Sequence, residues 1–155
     1  MWNSKKSVIL SIAVCIFLSV LLALLIVLGP LIFEKYMVDY RGFGANSISL
    51  WALKRIFALC FYPSAIFAGG ALYSLIKLLF NIKDNKTFIK KNVTYLRVVS
   101  WCCIAVSVIT FIGGLFYIPF FFIFVAAGFV GMLLRVLKNV MQSAVELKED
   151  NELTI

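Results

Sequence analysis

Residues 98–134, VVSWCCIAVSVITFIGGLFYIPFFFIFVAAGFVGMLL, run for 37 positions without a charged side chain. As one straight helix this run would be about 55 Å long at 1.5 Å per residue, far more than the roughly 30 Å hydrocarbon core of a bilayer. Gly113, Gly114 and Pro119 fall near its middle, and residues of these types mark turns. The run therefore reads as a hairpin of two spanning helices, over about 93–114 and 119–141. Arg97, Arg135 and Lys138 flank it, where long cationic side chains can snorkel toward water.

The rest of the chain follows the same pattern. Of its 155 residues, 63% are hydrophobic and 14% charged, and mean hydropathy is +1.03. Soluble domains carry about 45–50% apolar and about 25% charged residues. A domain this small still exposes about a third of its unfolded surface, so such an excess of apolar residues calls for lipid as the solvent. Residues 8–33 and 56–76 are two further uncharged runs. The first is much longer than the roughly 7–15 apolar residues of a secretory signal and reads as a retained span ending near Gly29 and Pro30. The second contains Pro63, which is expected to bend it. Ala65–Gly69 and Gly70–Ser74 are small-residue pairs at the spacing that lets helices approach closely. The expectation is an all-α, integral membrane four-helix transmembrane bundle forming one domain over residues 1–155. Its spans lie near 8–30, 54–79, 93–114 and 119–141, followed by a tail over 142–155.

The net charge of +8 does not point to nucleic acid, because the basic residues are separated by long apolar spans and no recognition motif accompanies them. Bilayer orientation accounts for them better, since Lys and Arg collect on the cytoplasmic side. Placing both termini and the 77–97 connection inside gathers Lys5, Lys6, Lys83, Lys86, Lys90, Lys91, Arg135 and Lys138 there, with Lys77, Arg97 and Lys148. The expected topology is N-in/C-in, in a cell (plasma) membrane. The opposite connection, residues 34–55, has nearly balanced charges and carries Tyr36, Tyr40 and Trp51, aromatics suited to headgroup depth. Gly42 and Gly44 mark a turn there, and Asn46 or Ser47 is a candidate cap for the second span.

The inner connection, DNKTFIKKNVTYLR (residues 84–97), reads as a short cytoplasmic amphipathic helix. Thr87 is its candidate N-cap, and Phe88, Asn92 and Leu96 fall on one face. Lysines explain the orientation; an asparagine on an apolar stripe needs another reason. The C-terminal segment keeps a helical stripe through Leu137, Val140, Met141 and Ala144, then turns acidic at Glu146, Glu149, Asp150 and Glu152. The basic connection and acidic tail are opposite in sign on one expected side. Exposed ion pairs are worth only about 0–1 kcal/mol, so solvation of each block is the simpler expectation. Phe88, Asn92, Leu96, Arg97 and the four acidic residues are the candidate partner-binding set.

The phrase NKTFIKKNVTYLRVVSW (residues 85–101), with the ending ELKEDNELTI (residues 146–155), resembles a family of small bacterial multi-pass membrane proteins called domain of unknown function 2975, which includes the YoaS-like proteins. The resemblance rests on Phe88, on Asn92 four residues later, on Leu96-Arg97 entering a span, and on the acidic close from Glu149 to Ile155. The family's glycine before the phenylalanine block is replaced here by Asp84-Asn85-Lys86. The resemblance implies a four-span protein, often encoded beside a small helix-turn-helix regulator.

No catalytic constellation is visible. There is no histidine, the commonest general base and metal ligand, no phosphate-binding loop or nucleophile elbow, and no carboxylate within a span. Cys15, Cys60, Cys102 and Cys103 lie inside apolar runs and read as small hydrophobes. No enzyme, cofactor or metal is expected. The best reading is a membrane-embedded regulatory or binding protein that recruits a cytoplasmic protein partner, with a helix-turn-helix regulator as candidate. Alternatives are self-protection (immunity) against a membrane-active peptide, or a subunit of an oligomeric transporter or channel.

Overall fold

The computed structural model describes residues 4–40, 50–116 and 118–153, with side chains described for 6–35, 51–116 and 118–151. Four helices account for nearly all of these: α1 (Ser4–Tyr40), α2 (Leu50–Lys83), α3 (Lys90–Gly114) and α4 (Pro119–Leu153). All four are long and apolar enough to cross a membrane. Phe17, Val27, Leu59, Ile66, Phe122, Phe129 and Met132 each expose 64–78% of their surface. Water-soluble monomers rarely present continuous apolar surface on that scale, which suggests a multi-pass membrane protein.

The hairpin of the 98–134 run forms where Gly113, Gly114 and Pro119 place it. Pro119 occupies the first turn of α4, where a missing N–H costs nothing. A Cβ on Gly114 would stand 3.1 Å from the backbone nitrogen of Phe121, so any larger residue would have to push the start of α4 away. Other boundaries differ from expectation. α1 does not end at Gly29–Pro30 but continues through Pro30 to Tyr40, and α2 runs unbroken through Pro63. In an apolar setting unpaired backbone groups are costly, so a helix that loses one bond to proline gains by continuing. The Gly42–Gly44 turn, the cap at Asn46 or Ser47, and the side chains of Lys5, Tyr36, Tyr40 and Glu152 lie outside the described residues.

The helices pack in sequence order as a row rather than as a closed bundle. Among the described residues, close backbone approach occurs only between α1 and α2, α2 and α3, and α3 and α4. Helices in lipid gain little from burying apolar surface, so small residues and hydrogen bonds select which faces meet. α2 carries small residues on two faces: Gly69 looks toward Leu22 of α1, and Gly70 toward Cys102 of α3, 3.7 Å from where its Cβ would lie. Ala65 and Ser74 are buried. The small-residue pairs of α2 thus serve contacts within the chain. By contrast, α4 turns Phe122, Phe129, Met132 and Val136 outward, and these offer α1 no such seam.

α3 packs against both α2 and α4, and polar contacts join it to α4. The Ser100 hydroxyl donates to the Gly131 carbonyl at 2.8 Å, and Ser107 donates to the Phe124 carbonyl at 3.1 Å. Both target carbonyls already serve their own helix, so the hydroxyls use a second lone pair and leave α4 intact. At the hairpin end Phe33, Phe57, Phe61 and Phe120 stack into a cluster, with Phe33 and Phe57 ring centroids 3.8 Å apart. Lys54 pairs there with Glu34.

Candidate functional site

The opposite end, where α2 hands over to α3, holds most of the residues singled out in the sequence. α2 closes in a Schellman arrangement: the Asn85 N–H donates to the Ile82 carbonyl at 3.1 Å and the Lys86 N–H to the Asn81 carbonyl at 2.9 Å. Asn85 has φ +59°, the left-handed conformation that glycine and asparagine adopt most readily. Asparagine therefore holds this left-handed position without the penalty most other side chains would meet there.

Residues 84–97 do not form a separate surface helix. The segment 84–89 is a turn, and α3 then runs uninterrupted from Lys90 into the apolar region. Its N-cap is Ile89, in extended conformation and without a side-chain cap, not Thr87. The stripe Phe88–Asn92–Leu96 misled because its first member precedes the helix. Phe88 is half exposed in the turn, whereas Asn92 and Leu96 are 0% and 2% exposed.

Asn92 takes over the role of a cap. Its amide nitrogen donates to the carbonyls of Lys86 and Thr87, both at 2.8 Å, and its amide oxygen accepts from the Asn81 side chain at 2.7 Å. One buried side chain thus ties the end of α2, the turn and the start of α3 together. Three hydrogen bonds made by a side chain closed to solvent fix the turn better than the same bonds fully in water. Asn81 was not among the sequence candidates; its signal is a second asparagine on the other side of a six-residue turn.

The candidate partner-binding set consequently divides. Asn92 and Leu96 face the protein interior and are closed to a partner. Phe88, Arg97, Glu146 and Asp150 are exposed. Glu149 accepts from the Lys90 ammonium at 3.0 Å, with side-chain exposures of 44% and 77%. Pairing at that exposure contributes no more than about 1 kcal/mol, so it orients the α4 extension without anchoring it. The anchoring is apolar: Val145 and Val93 are both buried where α4 passes the start of α3. Beside them Lys90, Thr94, Arg97, Gln142 and Glu146 line a groove of about 240 Å³.

The described topology determinants gather toward this end. α1 and α2 are antiparallel, as Leu22 meets Gly69 and Phe33 meets Phe57, so Lys6 lies toward the same end as Lys83 and Lys86. Lys90, Lys91, Arg135 and Lys138 lie there too, on the first turns of α3 and the far half of α4. Lys54 and Arg55 lie at the other end, where the Arg55 guanidinium stacks 3.6 Å over the Trp51 ring. The four cysteines are separate free thiols.

Comparison with protein-family models finds a match over residues 45–155, to the family described as protein of unknown function (DUF2975). Neither curated proteins nor solved structures give a match.

Proposed function

The chain belongs to this family of unknown function, and from that premise we propose a multi-pass cell-membrane protein, N-in/C-in, that recruits a cytoplasmic protein and catalyses no reaction. The observation that carries this reading is the α4 extension. From Arg135 to Leu153 the helix continues past the apolar spans, held against α3 by Val145. Its other faces present Glu146, Leu147 and Asp150 to solvent, Leu147 with 64% of its surface. An exposed leucine between acids on a rigid helix is suited to a partner with an apolar notch and a basic rim. Phe88 in the clamped turn supplies a second apolar contact on the same end.

A small helix-turn-helix regulator is the candidate partner, since such proteins carry basic surfaces of the required sign. Deleting residues 146–155 leaves the spans, the Asn92 clamp and Val145 in place, and is expected to abolish crosslinking to a cytoplasmic partner in native membranes and to alter expression of its target genes. Unchanged crosslinking and expression in that variant would contradict the proposal. Altered sensitivity to a membrane-active peptide without a transcriptional change would instead favour self-protection.

A further inference from the structure

Arg97 and Arg135 bound the 37-residue uncharged run, and folding that run at its middle returns both to one depth. Each lies 16–17 residues from the hairpin, or about 25 Å at 1.5 Å per residue, close to where a hydrocarbon core would end. With Lys138, Ser100 and Trp101 they line a cavity of about 110 Å³ between α3 and α4. The Arg135 guanidinium lies 5.0 Å from the centroid of the Trp101 ring, and that ring is 56% exposed.

No carboxylate lines this cavity. Among the described residues Lys54 pairs with Glu34 and Lys90 with Glu149, and none of the three cavity cations takes part in either pair. The Ser100 hydroxyl already donates to Gly131, so the charged donors left to a ligand are the two guanidinium groups and one ammonium. Three like charges converging at the edge of a low-dielectric region repel one another unless an anion sits among them. Guanidinium forks match phosphate oxygens in pairs, and basic pockets between helices at this depth suit lipid headgroups.

We propose that this cavity binds the phosphate of an anionic phospholipid, whose acyl chains lie along the exposed apolar faces of α3 and α4. The proposal rests on the membrane-spanning part of the reading above and is independent of any cytoplasmic partner. Free phosphate shares the chemistry but lacks the chains that would hold it at this depth.

Trp101 is a built-in reporter. The full chain, with Trp2 and Trp51 replaced by phenylalanine, would be reconstituted in vesicles of phosphatidylcholine mixed with phosphatidylglycerol. One or the other lipid would be brominated near the headgroup end of an acyl chain. Brominated phosphatidylglycerol is expected to quench Trp101 more strongly, with a selectivity that falls roughly five-fold for each cation removed in Arg135→Gln and Lys138→Gln. Lys148→Gln, outside the cavity, should leave it unchanged, and inorganic phosphate at millimolar concentration should not displace the lipid. Equal quenching by both lipids, or selectivity that survives Arg135→Gln with Lys138→Gln, would overturn the proposal. Displacement by inorganic phosphate would reassign the cavity to the free anion. Absence of quenching by either lipid would overturn the membrane-spanning reading together with the proposal.

Discussion

Replacing Asn92 with alanine is expected to lower stability by about 3 kcal/mol, the scale of three side-chain hydrogen bonds lost from a buried site. The substitution strands the carbonyls of Lys86 and Thr87 and the Asn81 amide, which Asn92 holds at 2.7–2.8 Å. Asn81→Ala removes only one of these bonds and should cost about 1 kcal/mol. Because both residues share that bond, the double variant should lose less than the sum of the singles. Unfolding by denaturing detergent, followed by helical circular dichroism, reads these differences. If Asn92→Ala unfolded together with the unsubstituted protein, the clamp would be a bystander.

The second large effect is expected where α4 presses its backbone against α3. A Cβ on Gly131 would lie 3.1 Å from Ile104 Cγ1, 3.3 Å from Cys103 Cβ and 3.4 Å from the Ile104 backbone nitrogen. Alanine there should be tolerated, because the side-chain atoms can yield slightly and alanine favours the helix by about 1 kcal/mol over glycine. Leucine cannot fit without separating the helices. Gly131→Leu should therefore cost about 3 kcal/mol from overpacking, with a further loss because Ser100 no longer reaches the Gly131 carbonyl. The same detergent titration distinguishes the two substitutions. A leucine variant as stable as the alanine one would mean that α3 and α4 are not packed this closely.

These two sites show what a one-dimensional reading reaches. Charge-free runs and their lengths fixed the number of helices, because a bilayer accepts few other arrangements of such runs. The hairpin was legible from Gly113, Gly114 and Pro119. Asn92 stood out because an amide on an apolar stripe is expensive unless something bonds it. What it bonds was hidden, since its partners are two backbone carbonyls and an asparagine from the preceding helix.

Periodicity also cannot say where a helix begins. Phe88, Asn92 and Leu96 share a spacing, but the chain is still in a turn at Phe88, so the surface helix dissolved into α3. The row-like packing was out of reach for a related reason. Gly69 and Gly70 face different neighbours, a difference of one residue that spacing alone does not assign. That Arg97, Arg135 and Lys138 flank the 98–134 run was legible, but their convergence on one cavity depends on how α3 and α4 are rotated.

Orientation in the membrane underlies the proposed partner-binding role, and Lys86 tests it most directly because it is exposed in the clamped turn. Lys86→Cys, in a chain whose four native cysteines are replaced by alanine, would be treated in intact cells with a membrane-impermeant maleimide. The N-in/C-in arrangement predicts no labelling until the membrane is permeabilised, and full labelling afterwards. Labelling of residue 86 from outside intact cells would contradict it and place the acidic α4 extension on the wrong side for any cytoplasmic partner.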